Sequence, residues 1–100
     1  MNISVKRSGG FAGTTENLAD LDTARLDPAS AKEVDQLVRL IGFFDLPLVV
    51  SGGSPGADLF RYEIAIADAK RAHAVAFDDD DTPETEPLRN FVEALLRMKP

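Results

Sequence analysis

The side chains that could do chemistry are few, and their spacing narrows the field. Histidine occurs once, at His73, and cysteine is absent. A multi-histidine metal centre, a His-Glu-x-x-His protease motif, a thiolate zinc site and a cysteine nucleophile are therefore excluded. His73 alternates with Val75 and Phe77, which puts it on the apolar face of a strand. A packed structural histidine is the expectation there, because a general base needs a positioned partner. One histidine and scattered serines give no Ser-His-Asp trio. The aspartates of residues 78–81 could attract a hard cation, but the Asp-x-Asp-x-Asp-Gly spacing ending in a glutamate is missing. A solvated acidic loop that favours the N-terminus of the following helix is expected instead. Gly9-Gly10 and Gly52-Gly53 match neither a Gly-x-Gly-x-x-Gly nor a Walker pattern, and the second pair follows a helix instead of opening one.

Two residues stand apart. Phe11 sits among Gly9, Gly10, Ala12 and Gly13, with little local chain to bury it. It either folds back onto the sheet or stands out as an apolar anchor for a partner, the kind of side chain in which interfaces concentrate their energy. Asp58 closes the Gly- and Pro-rich loop 51–58 just before a strand, where a turn-forming role is available to it.

These residues have to be positioned by the elements around them. Ile3, Val5 and Arg7 alternate with Asn2, Ser4 and Lys6, giving a first strand at 2–7. The glycines that follow turn the chain back into a second strand near 14–22, although Leu18 and Leu21 do not share a period of two. Asp27-Pro28 reads as a cap and first helical residue, with Ser30 and Glu33 as an alternative capping box. Val34, Leu37, Val38 and Ile41 then mark an amphipathic helix over 28–44, with Phe43 and Phe44 closing the core at its end. Phe60, Tyr62, Ile64 and Ile66 predict a strand at 59–67, and His73, Val75 and Phe77 a paired strand at 71–78. Leu88, Phe91, Val92, Leu95 and Leu96 predict a last helix at 84–98, entered through Pro83 and Pro87.

The expected fold is α+β with the order ββαββα. It is a four-stranded, mostly antiparallel sheet with two helices packed on one face, in a single domain of residues 1–100. If the first strand runs upward and the first helix climbs back up, loops 8–13, 47–58 and 78–81 all gather at one end. Only the 23–27 connection and the 68–70 turn lie at the other.

Charge excludes further classes. Formal net charge is −6, from 17 acidic and 11 basic side chains. Six of the acids (Asp78, Asp79, Asp80, Asp81, Glu84 and Glu86) lie within nine residues, and 17 less six leaves 11 against 11 basic. The acidity is thus one local feature, and phosphate neutralisation of nucleic acid is not expected. The longest uncharged run, 46–57, has 12 residues broken by Pro and Gly, where a membrane span needs about 20. The start has no apolar stretch after its charges, so a cytoplasmic protein without membrane attachment is expected.

The string Lys6-Arg7-Ser8-Gly9-Gly10-Phe11-Ala12-Gly13 resembles the emfourin-like inhibitors of thermolysin-family zinc metalloproteases. So do Phe43-Phe44-Asp45-Leu46-Pro47, Pro55-Gly56-Ala57-Asp58-Leu59-Phe60-Arg61-Tyr62, His73-Ala74-Val75 and Pro87-Leu88, so that the resemblance covers nearly the whole chain. It implies a small protein, not an enzyme and without a cofactor or metal of its own, monomeric when free. Its partner would be a protealysin-like protease whose active site it blocks. Such a protease has a zinc with an open position for water and substrate and cuts before bulky apolar residues. On that chemistry Gly9, Gly10, Phe11, Ala12 and Asp58 are the protease-binding residues. Phe11, helped by Ala12, enters the apolar pocket; Asp58 offers a carboxylate to the protease zinc, with the acidic loop 78–81 as the alternative source. Gly52, Gly53 and Gly56 let the second loop enter a narrow cleft. The alternative is a non-inhibitory interaction module or adaptor that uses the same end of the domain.

Overall fold

Alternating apolar residues build the strands, and the parity of each strand fixes which way it faces. The computed structural model describes residues 1–9, 14–52 and 59–98. In chain order these form β1 (Asn2–Gly9), β2 (Thr14–Asp22), α1 (Pro28–Leu40), β3 (Val49–Val50), β4 (Phe60–Ala67), β5 (Ala72–Asp78) and α2 (Glu86–Arg97), with short 3-10 turns at Thr23–Arg25 and Phe43–Asp45. The sheet runs β2-β1-β4-β5-β3. Its pairings are antiparallel except for β3, which lies parallel to β5.

The sheet therefore has five strands and is mixed, where four were expected. The extra strand is the run after Pro47, read from sequence as plain connection. The Ala76 amide donates to the Leu48 carbonyl at 2.8 Å and Val49 lies opposite Ala76. Two residues are too few to show a period, so this strand exists only because β5 offers it an edge.

One face of the sheet carries the core. Ile3 and Val5, Ala19 and Leu21, Ile64 and Ile66, and Val75 and Phe77 are all buried against Val34 and Val38 of α1 and Leu88, Phe91, Val92 and Leu95 of α2. Both helices lie on this face, as expected. The opposite face presents Ser4, Ala65 and Ala74 in register across three strands.

The irregular pattern of β2 has a cause. Val5 pairs with Ala19 but Lys6 with Asn17, so Leu18 is an extra residue, a β-bulge. Ala19 and Leu21 point inward by alternation, and the bulge lets Leu18 also pack against the core. No single period can describe such a strand.

At the start of α1 the Asp27 carboxylate accepts the Ser30 amide at 2.8 Å and Pro28 takes the first turn, as expected. The helix stops at Leu40, short of the expected Phe44. Gly42 is the reason: it adopts φ +63, the left-handed conformation that ends helices, and the next turn drives Phe43 into the core.

α1 does not climb. It begins beside the lower end of β2, and Phe43 and Phe44 just beyond it pack on His73 and Arg71 at the lower end of β5. The ascent is made by residues 46–50 along β5. The expected grouping at the upper end still follows, through a different segment.

Candidate functional site

The upper end of the sheet is where the unusual segments meet. Gly9 is paired with Thr14 on one side and Phe60 on the other, and Arg61 is paired with Asp78. The stems of both Gly-rich loops and the acidic segment are thus neighbours. Gly9 has φ +93, and a Cβ there would lie 3.1 Å from the Leu59 carbonyl oxygen. A side chain at this position would be both strained and crowded, so glycine lets the stem of the first loop lie against the end of the second. Gly10, Phe11, Ala12, Gly53, Gly56 and Asp58 lie outside the described residues; of the proposed protease-binding set, the structure places Gly9.

Beside Gly9, the Arg7 guanidinium donates to the Glu16 carboxylate at 2.9 Å and lies 4.4 Å above the Phe60 ring. Glu16 first, and Tyr62 after it, raise the pKa of Arg7. Tyr62 in turn stacks on buried Phe77, with ring centres 5.3 Å apart. A cleft of about 320 Å³ opens next to this pair, between Asp79, Asp81, Arg89 and Glu93.

The acidic segment is not the solvated loop expected from its composition. Asp78 pairs with Arg61 at 3.2 Å. The Asp79 amide donates to the Phe60 carbonyl at 2.9 Å. Asp80 is only 4% exposed. Its Oδ1 accepts the hydroxyls of Thr82 at 2.5 Å and Thr85 at 2.7 Å, and its Oδ2 accepts the Gly52 amide at 3.1 Å. The Thr82 and Thr85 hydroxyls hold the Asp80 carboxyl down to about 2. Asp81, its neighbour, is exposed. Four identical residues in a row do not by composition single out the one that turns inward. The usable signal was Asp80-x-Thr82, the spacing at which an aspartate accepts from the residue two ahead.

His73 is structural, as expected. Its Nε2–H donates to the Leu46 carbonyl at 2.7 Å, and its ring meets Phe43 edge to face at 5.7 Å. This is at the lower end, away from the loops. Among the described residues no group of three or more His, Asp or Glu side chains is placed to hold a metal ion, and no helix is long and apolar enough to cross a membrane.

Compared with known proteins, residues 5–95 match the family model described as Emfourin. No curated protein and no solved structure matches the chain.

Proposed function

Because this chain belongs to the Emfourin family, a family of protease inhibitors, we propose that it blocks the active site of a thermolysin-like, protealysin-like zinc metalloprotease. One observation carries the reading. The stems of the two Gly-rich loops lie side by side, with Gly9 against the backbone of Leu59 and Phe60, which would let one cleft receive both loops.

In this reading Phe11 fills the pocket that takes the bulky apolar residue of a substrate, and Ala12 extends that contact. Asp58 presents an ionised carboxylate to the zinc and replaces the catalytic water. The metal is the protease's, and the inhibitor needs none. Two separate contacts on the site make this unlike a substrate strand held across the scissile position, so the inhibitor is not cut. It acts as a monomer of one domain, with no catalysis of its own.

The test is direct. The purified protein is mixed with thermolysin or a protealysin-like enzyme and a fluorogenic peptide. Dose-dependent loss of cleavage, with the inhibitor recovered intact, is expected. Full protease activity at saturating protein would overturn inhibition and favour an adaptor. Turnover of the peptide by the protein alone would make it an enzyme.

A further inference from the structure

We propose that Asp80 is a positioning residue for inhibition, tying the outgoing end of the second Gly-rich loop to the start of α2, beside the Asp79 backbone contact that holds the returning end. The proposal rests on the reading of that loop as part of the inhibitory surface.

The clamp follows from who bonds to whom. Gly52 follows β3 on the outgoing side of the loop, and Leu59 precedes β4 on its returning side. The acidic segment reaches both ends. On the outgoing side, the Asp80 carboxylate accepts the Gly52 amide at 3.1 Å. On the returning side, the Asp79 amide donates to the carbonyl of Phe60 at 2.9 Å. Adjacent residues of one short segment therefore set the separation of the loop's ends.

The segment is itself anchored. Besides the two hydroxyl bonds, Asp80 Oδ1 accepts the Thr82 amide at 3.2 Å. Arg89, in the first turns of α2, donates through Nε to the Thr85 hydroxyl at 3.1 Å and through a terminal nitrogen to the Thr82 carbonyl at 2.9 Å. Arg89 donates to Thr85, Thr85 donates to Asp80, and Asp80 accepts Gly52. The chain of donors runs from a helix packed on the core to the stem of a loop. Bonds to an ionised acceptor in a buried setting are the strong class.

Steric fit makes the same point independently. A Cβ built on Gly52 would fall within the Thr82 side chain. The backbone at residue 52 lies flat on Thr82, an approach only glycine permits.

Four variants test this: Asp80→Asn, Gly52→Ala, Asp81→Asn as an exposed charge control, and replacement of 53–58 by Gly and Ser of equal length. Each is measured for inhibition per folded molecule, for its dissociation rate from the protease, and for amide hydrogen exchange at Gly52. Asp80→Asn keeps the shape but replaces one acceptor oxygen with a donor. It is expected to lose at least about tenfold in inhibition, mainly through faster dissociation, and to exchange Gly52 at least about tenfold faster while Ile64 and Val75 stay protected. Asp81→Asn should stay within about twofold of wild type. If Asp80→Asn does not fold, Gly52→Ala decides, since it breaks the same contact from outside the core. Unchanged inhibition in whichever variant frees Gly52, beside loss in the loop replacement, overturns the positioning role alone. Unchanged protection of Gly52 in Asp80→Asn overturns the clamp. A loop replacement that inhibits like wild type overturns the loop reading, and the positioning role with it.

Discussion

The two ends of the sheet are built from different materials. At the lower end, Phe43 is fully buried and meets Phe44, His73 and Phe91. Phe44 lies under the Arg71 guanidinium, 3.8 Å from ring centre to charge. The β4–β5 turn is closed by the Asp68 carboxylate, which accepts the amides of Lys70 and Arg71 at 2.8 Å each. This end is held by ring packing and a tight turn. At the upper end the Tyr62–Phe77 stack and Arg7 over Phe60 are joined by glycine backbones, ion pairs and the Asp80 network, which hold the loop stems. Apolar burial is non-directional and resists opening as a whole, whereas hydrogen bonds to a buried carboxylate fix direction and spacing. A protein that must present two loops at a set separation has use for the second kind of contact at one end and can leave stability to the other.

The widest separation of the two roles should come from Phe43→Ala. Emptying this site should cost about 3–5 kcal/mol of folding free energy. Denaturant titration measures that loss, while inhibition per folded molecule should stay unchanged. A matching drop in inhibition would mean that the ends are coupled and the division is wrong.

Phe11→Ala should show the reverse. An anchor side chain at an interface is worth about 2–4 kcal/mol, or roughly 30- to 1,000-fold in affinity. Thermal unfolding of the same variant should move little. A large stability loss with unchanged inhibition would return Phe11 to the core.

Asp58→Asn sharpens the upper end further. Asparagine keeps shape and turn-forming capacity but is a much poorer donor to zinc than a carboxylate. The variant should fold normally and lose at least about tenfold in inhibition, or ~1.4 kcal/mol. Wild-type inhibition would leave steric occlusion by the loops as the blocking mechanism.

The smallest effect at neutral pH is one that appears only in acid. Asp80 is held down to about 2, first by the Thr82 hydroxyl and then by Thr85. Asp27 is lowered by Ser30, and Asp68 by the Lys70 and Arg71 amides. An unfolded aspartate titrates near 3.9. Groups lowered by folding stabilise the protein above that value and cease to do so as pH falls through their folded pKa. Stability should therefore be flat near pH 7 and decline from about pH 4 towards pH 2. Asp80→Asn should shallow the decline without removing it, because Asp27 and Asp68, at the other end of the sheet, still contribute. Thermal unfolding as a function of pH measures this, and an unchanged slope would show that Asp80 does not titrate as described.

Sequence made the elements with undisturbed periods legible. Ile64 and Ile66 in β4, Val75 and Phe77 in β5, and Leu88, Phe91, Val92 and Leu95 in α2 lie where their spacing puts them, whereas Leu96, read into the same stripe, is exposed. What it missed had local causes. The bulge at Leu18 breaks the alternation of β2, Gly42 ends α1 early, and β3 exists only by pairing with β5. In the site, the gathering of the loops at one end was legible from the alternating strand directions, although the ascent expected of α1 is made by residues 46–50. The inward turn of Asp80 was not, because it depends on where Thr82, Thr85 and Gly52 arrive in space.

β3 also bears on how copies of this chain meet. A sheet edge with free amides and carbonyls is a template for another strand. Here one edge is the two-residue strand β3, which follows Pro47 and Leu48, and although Val49 is exposed, among the described residues it offers little ribbon to copy. The other edge, β2, is twisted by its bulge and carries exposed Glu16 and Asp20. With a formal charge of −6 repelling like molecules, neither margin invites the sheet to grow into a filament.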